Sequence, residues 1–321
     1  MKRLIILASS ALLLAGPNFG WTQEFPTRPI TLVVPYTAGG PTDVAARLLA
    51  DGLSKEVGQS IIVENKAGAA TVLAAEYVAR APADGYTLLM SAASTFVTNP
   101  HLNKNLSYDT KDFEPVAMVS KVPNVLNVAL HVPAKNMKEF VEWARSRPNG
   151  ATYGTAGVGS STHIMGELFA KQFDIPMTHI PYQGASAANI DVIAGNIDSQ
   201  IDGIAAAQVL HKEKKTRIIG LFNDTRWPSM PDVPTLAEQG YPNAIAYSWF
   251  AIVAPKGTPA EVVESLNAAV NKVLESEDLQ ARFIDDGQTV IPMSVSEARV
   301  FINEEYERWG QVIRDSDIKV E

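Results

Sequence analysis

An α/β fold in two lobes, each a mixed sheet flanked by helices, is predicted for this 321-residue chain by three features. From Glu24 onward, apolar runs of strand length alternate with helical patterns, the signature of α/β layering. That order occurs twice, although no residue-level repeat accompanies it. The closing strand and helices are too few for a third domain, so they are expected to return to the first lobe. Residues 24–125 plus 246–321 then form the first lobe and 126–245 the second. The chain crosses between them near 122–128 and again near 243–250. Two crossings imply a hinge and a cleft.

The chain opens with "MKRLIILASSALLLAG", where Lys2 and Arg3 precede an apolar run from Leu4 to Ala15. This is the pattern of an export signal, too short to span a bilayer, with cleavage expected between Ala15 and Gln23. In the first lobe "PITLVVP" (29–35) reads as a strand and Asp43 to Val57 as a helix. "SIIVEN" (60–65) is a strand, Ala70 to Ala81 a helix, and the turn "PADG" leads into the strand "YTLLMS" (86–91). Residues 112–130 read as two short apolar runs broken by Pro123.

The second pass continues with an amphipathic helix over 136–147, the strand and glycine loop "ATYGTAG" (151–157) and a helix over 162–173. "MTHIPY" (177–182) is a strand, 185–195 a helix ended by Gly195, and "IDSQIDG" (197–203) and "RIIGLF" (217–222) are further strands. After a Pro-rich segment, "SWFAIVAP" (248–255) is the return strand, followed by helices over 259–276 and from Ser294 to about Asp315.

Composition narrows the function. At 46% hydrophobic and with no cysteine, an exported chain must be stabilised by its cores rather than by disulfides, which suits the bacterial periplasm. The absence of cysteine also leaves no lipid-anchor site, and no later segment is apolar enough to enter a membrane. The formal charge of −8, more negative once Lys2 and Arg3 are removed, argues against nucleic acid and anionic membranes as partners. A monomer is expected.

The loop "PYTAGG" (35–40) is the first chemical feature. Gly39 and Gly40 allow a sharp turn that presents amide hydrogens, and Thr42 is placed to cap a helix from Asp43. Such amides at the positive end of a helix suit an anion. Neither the phosphate-loop lysine nor G-x-G-x-x-G is present, which leaves carboxylate; a glycine turn that only reverses the chain is the competing reading.

The second lobe carries a comparable element, "YGTAGVGSSTHIMGELF" (153–169), with Ser160, Ser161 or Thr162 as the helix cap. Two such loops at the carboxyl ends of strands would face one cleft. Hydroxyls at Thr37, Thr42, Thr155, Ser160 and Ser161 would add neutral donors, and the small residues from Ser91 to Ser94 end their strand toward the same place. Tyr36, Phe96, Tyr182 and Trp249 stand near loop ends, where core packing competes with ligand contact.

Enzymatic patterns are weak. The five histidines show no metal-ligand spacing, G-x-S-x-G is absent, and there is no cysteine nucleophile. Ser160, His163 and Asp202 could be written as a triad, but His163 and Ser160 share a first helical turn, where orienting the loop is the simpler role.

Six stretches together carry a resemblance: "PTRPITLVVPYTAGGPTDVAARLLA", "VENKAGAATVLAAEYVARAPADGYTLLM", "YDTKDFEPVAMV", "YGTAGVGSSTH", "IPYQGASAANIDVIAGNID" and "MPDVPTLAEQGYP". In order and across the mature chain, they resemble the tripartite tricarboxylate transporter receptors, the Bug family. The resemblance implies a type II-like periplasmic binding protein that closes on a carboxylate solute, without cofactor or metal, and delivers it to membrane permease subunits. It implies a carboxylate pocket of Tyr36, Thr37, Ala38, Gly39, Gly40 and Thr42 facing Thr155, Gly159, Ser160, Ser161 and His163. Ser94 and Tyr182 border it, Asp43 supports the first loop, and Asp202 lines the far end. The usual loop resembles P-F-P-P-G-G; Tyr36, Thr37 and Ala38 depart from it and leave the solute open among aliphatic and aromatic carboxylates. A sensor subunit for a membrane kinase and a periplasmic hydrolase are the rival functions.

Overall fold

The computed structural model describes residues 25–158, 160–182, 184–244 and 246–315. The export signal expected over 1–23 lies outside these residues.

β1 (Ile30–Val34), α1 (Pro41–Val57), β2 (Ile61–Asn65), α2 (Val72–Ala79) and β3 (Thr87–Ala92) follow the predicted alternation. A π-helical turn over Ser94–Thr98 runs into the short α3 (Asn99–Leu102). β4 (Phe113–Val128) is one sixteen-residue strand rather than the two runs expected. Its residues Phe113 to Pro123 pair with β9 (Tyr247–Pro255), whereas Asn124 to Val128 pair with β7 (Ser199–Gly203). Pro123 therefore sits where the hydrogen-bonding partner changes, so its missing N–H costs the ladder little.

The second half adds α4 (Met137–Ser146), β5 (Ala151–Thr155), α5 (Ser161–Gln172), β6 (Met177–Pro181), α6 (Ala185–Ala194), α7 (Ile204–Lys212) and β8 (Arg217–Leu221). The chain ends with α8 (Ala260–Leu274), α9 (Glu277–Asp285), β10 (Thr289–Val290) and α10 (Val295–Asp315). α9 and β10 were not anticipated. α9 is a nine-residue helix announced only by Ser276, whose hydroxyl accepts the Leu279 amide, and by Leu279 and Phe283, which turn inward.

Strand order is β2-β1-β3-β9-β4-β7-β5-β6, with β8 and β10 also paired to β4. In each half a parallel trio has its first strand in the middle: β2-β1-β3 and β6-β5-β7. The connections from the central strand therefore leave in opposite directions, creating a switch point between β1 and β3 and another between β5 and β7. Ligands of open α/β sheets bind at such points, outside the carboxyl ends of the strands.

One core lies where α1 and α8 cover the first sheet, through Leu49, Leu53, Leu266 and Val270. Another runs along the opposite face into the second half, through Phe140, Tyr153 and Phe169. The neck between halves is hydrogen-bonded across its width: Phe222 N–H donates to the Asn124 carbonyl at 2.9 Å, and Ala246 N–H to the Phe222 carbonyl at 2.8 Å.

Candidate functional site

The first loop leaves β1 at the β1/β3 switch point. Gly39 has φ +85°, a left-handed conformation that glycine adopts without steric cost. Helix α1 starts at Pro41 with Gly40 as its N-cap and no capping side chain. The cap expected from Thr42 is not formed: proline's fixed φ suits the first helical position, which draws the start two residues earlier and leaves Thr42 buried inside the first turn.

Asp43 organises this loop from below. Its Oδ2 accepts the Gly39 N–H and the Arg47 Nε–H, each at 2.9 Å, while Oδ1 accepts Asn65 Nδ2 at 2.8 Å. Asn65 Nδ2 also donates to the Tyr36 carbonyl. Burial opposes the Asp43 charge, but the hydrogen bonds from Arg47, Gly39 and Asn65 outweigh it and hold the carboxyl below its ordinary range. The Gly39 amide, expected to face a ligand, is thus committed inward. Thr37 and Ala38 form the exposed crest. Tyr36 and Ser94 meet across the switch point, with their hydroxyls 2.8 Å apart.

The second loop repeats this design with different residues. Gly157, at φ +133°, donates its N–H to Thr155 Oγ1 at 3.2 Å, so Thr155 takes the part that Asp43 takes in the first loop. Ser160 is the N-cap of α5: its hydroxyl accepts the His163 amide and donates to the Gly157 carbonyl at 2.7 Å. Thr162 Oγ1 accepts the Ala156 N–H. Ser161 reaches out of the second half altogether, its hydroxyl 3.1 Å from that of Ser248 on β9.

Of the five hydroxyls considered as donors, Thr37 remains exposed, whereas Thr42 and Thr155 are buried and the two serines are engaged as above. Gly159 lies outside the described residues. Tyr182 donates its hydroxyl to Asp191 at 2.6 Å, which turns that group toward α6. Asp202, near the end of β7, is buried; desolvation raises its carboxyl to about 6, against the lowering influence of nearby Asn189 and of the Gly203 N–H, which donates to Oδ1. Its Oδ2 has no partner among the described residues.

His163 is buried and stacks on His179 of β6, with centroids 3.9 Å apart and planes 13° apart. Burial lowers both imidazoles, His179 to about 4. Among the described residues the triad that could be written from Ser160, His163 and Asp202 is not assembled: the bond from His163 to Ser160 comes from the backbone and caps the helix, while Asp202 Oδ1 accepts the Gly203 N–H.

Sequence reading missed His179, Ser248 and Val158. His179 carries no motif of its own, and its place beside the loop depends on the β5/β6 register, in which it pairs with Tyr153. Val158 is 51% exposed on the crest of the second loop, an apolar residue between glycines that the hydroxyl-centred reading passed over. Two open surface depressions, about 440 Å³ beside Leu73 and Tyr77 and about 560 Å³ beside His211 and Arg217, lie away from both loops.

A family described as "Tripartite tricarboxylate transporter family receptor" matches residues 45–318. The chain belongs to this receptor family. The receptor is 33% identical over 323 residues to Protein BugT of Bordetella pertussis (strain Tohama I), spanning 100% of this chain and 99% of BugT. It superposes on R. palustris Rpa4515 solved with adipate with a TM-score of 0.82 and 35% identity, covering 92% of this chain and 99% of that one. MatC (Rpa3494) from Rhodopseudomonas palustris with bound malate gives a TM-score of 0.77 and 34% identity, with 90% and 100% covered. The receptor is a periplasmic solute-binding protein with the two-lobed α/β fold, not an enzyme. No helix among the described residues is long and apolar enough to cross a membrane.

Proposed function

We propose that this receptor captures an organic dicarboxylate between its lobes and passes it to the membrane subunits of a tripartite tricarboxylate-type transporter. The observation that carries the reading is the pair of strand-to-helix glycine loops, one at each switch point, at the positive ends of α1 and α5. Residues 24–125 with 246–321 form one lobe and 126–245 the other. Tyr36 to Gly40 line one wall, with Ser94 beside them, and Gly159 to Ser161 the other. Thr42, Thr155, His163, Tyr182 and Asp202 shape these walls from behind.

Both similar receptors named above hold aliphatic dicarboxylates, which supports adipate- and malate-like solutes ahead of aromatic ones such as phthalate or terephthalate. Residues 1–23 are read as a cleaved export signal.

A thermal-shift panel of succinate, malate, adipate, citrate, phthalate, terephthalate, nicotinate, aspartate and glutamate tests this. A binder raises the melting temperature in proportion to the logarithm of its concentration above Kd. Failure of every carboxylate to shift it opposes the proposal.

A further inference from the structure

The second loop ends in a buried hydrogen-bond chain whose last member belongs to a different strand. Thr155 is fully buried, so its hydroxyl has to find its partners within the protein. Three contacts surround Oγ1: the Gly157 N–H at 3.2 Å, the Gly157 carbonyl at 3.4 Å and His179 Nε2 at 2.7 Å. The Gly157 amide can only donate. For the Thr155 proton, the carbonyl is too distant for a good O–H···O bond, whereas His179 Nε2 is at the ideal separation. The arrangement that satisfies every group runs from Gly157 N–H to Thr155 Oγ1, and from the Thr155 hydroxyl to an unprotonated His179 Nε2.

The His179 ring is held for this task. It lies flat against His163 at 3.9 Å and beside Tyr153 at 5.1 Å, which fixes the direction of Nε2. Burial, with His163 as neighbour, keeps this imidazole neutral above about pH 5.

We propose that His179 is a positioning residue of the solute site: as a neutral Nδ1–H tautomer it accepts the Thr155 hydroxyl and so fixes the Gly157 turn that shapes the second loop. The inference rests on the reading of that loop as part of the carboxylate site. In the reverse tautomer both N–H groups point at Thr155 Oγ1, and its own proton is left with only the distant Gly157 carbonyl, which weakens the anchor of the turn. Solute affinity therefore depends on a ring that does not itself touch the solute.

The tautomer is read from nitrogen-15 shifts of histidine in the solute-free protein at pH 7. The Nδ1–H form at His179 is expected, and the Nε2–H form overturns the proposal. Binding is then measured with adipate and malate as probes on three variants whose melting curves show a folded protein. His179→Phe keeps an aromatic ring for the stack but no acceptor and should weaken binding roughly tenfold, as should Thr155→Val. His179→Gln places an amide oxygen within reach of Nε2's position and should recover most of the loss. Wild-type affinity in His179→Phe alongside a loss in Thr155→Val sinks the role of His179 alone. If neither probe binds the wild type, or Thr155→Val is without effect, the carboxylate reading of the loop is what fails, and the tautomer result still decides the hydrogen-bond chain.

Discussion

The hydroxyls of Tyr36 and Ser94, 2.8 Å apart, join the loop after β1 to the turn after β3 across the switch point of the first sheet. Neither residue is near the other in sequence, and the bond fixes the base of the exposed Thr37–Ala38 crest. Burial raises the Tyr36 phenol, against the pull of Ser94, so it stays protonated throughout the working pH range. Tyr36→Phe is expected to lower stability by about 1 kcal/mol and to weaken solute binding several-fold. Calorimetric titration against the best binder of the panel checks this; equal affinity in both proteins would detach the crest from the site.

Asp43 is nearly buried and accepts from Gly39, Arg47 and Asn65. Asp43→Ala strands these donors and should cost about 2–4 kcal/mol of stability, measured by urea unfolding. The Gly39 amide, released from its acceptor, no longer holds the left-handed turn, so affinity should fall as well. Arg47→Ala, removing one half-exposed donor, should cost far less.

Asp202 and His179 make opposite demands on pH. The Asp202 carboxyl has a folded pKa near 6, above its ordinary 3.8, so its favourable contribution is complete below about pH 4 and is lost as pH rises through 6. His179 has a folded pKa near 4, below its ordinary 6.5, so its contribution is present above 6.5 and lost as pH falls through 4. Between about pH 4 and 6 the two slopes oppose each other. Asp202→Asn should stabilise the protein at pH 7 by up to about 3 kcal/mol, with the gain vanishing near pH 4. Urea unfolding across pH 4 to 7 reads the effect, and a gain that does not vary with pH contradicts it.

Gly287, at φ +76°, sits before β10 and abuts Ala205 at the start of α7, on the other side of the neck. A methyl group there would lie 2.8 Å from Ala205 Cβ and 2.9 Å from its backbone nitrogen. The neighbouring Gln288 bridges the Pro41 carbonyl and the Ser120 hydroxyl, tying this turn to the first loop. Gly287→Ala should therefore wedge the halves apart. Small-angle scattering is expected to show a larger radius of gyration without solute, together with weaker binding; an unchanged radius and affinity would argue against it.

Much of the fold was legible because it depends on local pattern. The strands at 30–34, 61–65 and 87–92, with the helices between them, are marked by hydrophobic spacing and turn residues. β4 was misread because Pro123 breaks a strand only if its N–H is needed, and only the tertiary pairing shows that it is not. Both loops were found from their glycines, yet their internal wiring was not. Asp43 comes three residues after its glycine pair and could be suggested as a support, whereas His179 reaches Thr155 only through the β5/β6 register, which no local signal encodes. Thr42 looked like a cap because threonine often is one; Pro41 moved the helix start and buried it.

The neck has a mechanical consequence. Pro123 and Tyr247 are paired across it, and Asn124, Phe222 and Ala246 continue the hydrogen bonding beside them, so three segments of chain run side by side between the halves. Such a ribbon is stiff against bending in its own plane and compliant in torsion, because strands accommodate changes of twist without breaking their ladder. The two halves should approach one another by a screw-like rotation about β4 and not by a jaw-like swing, with the existing Ser161–Ser248 contact sliding along an arc.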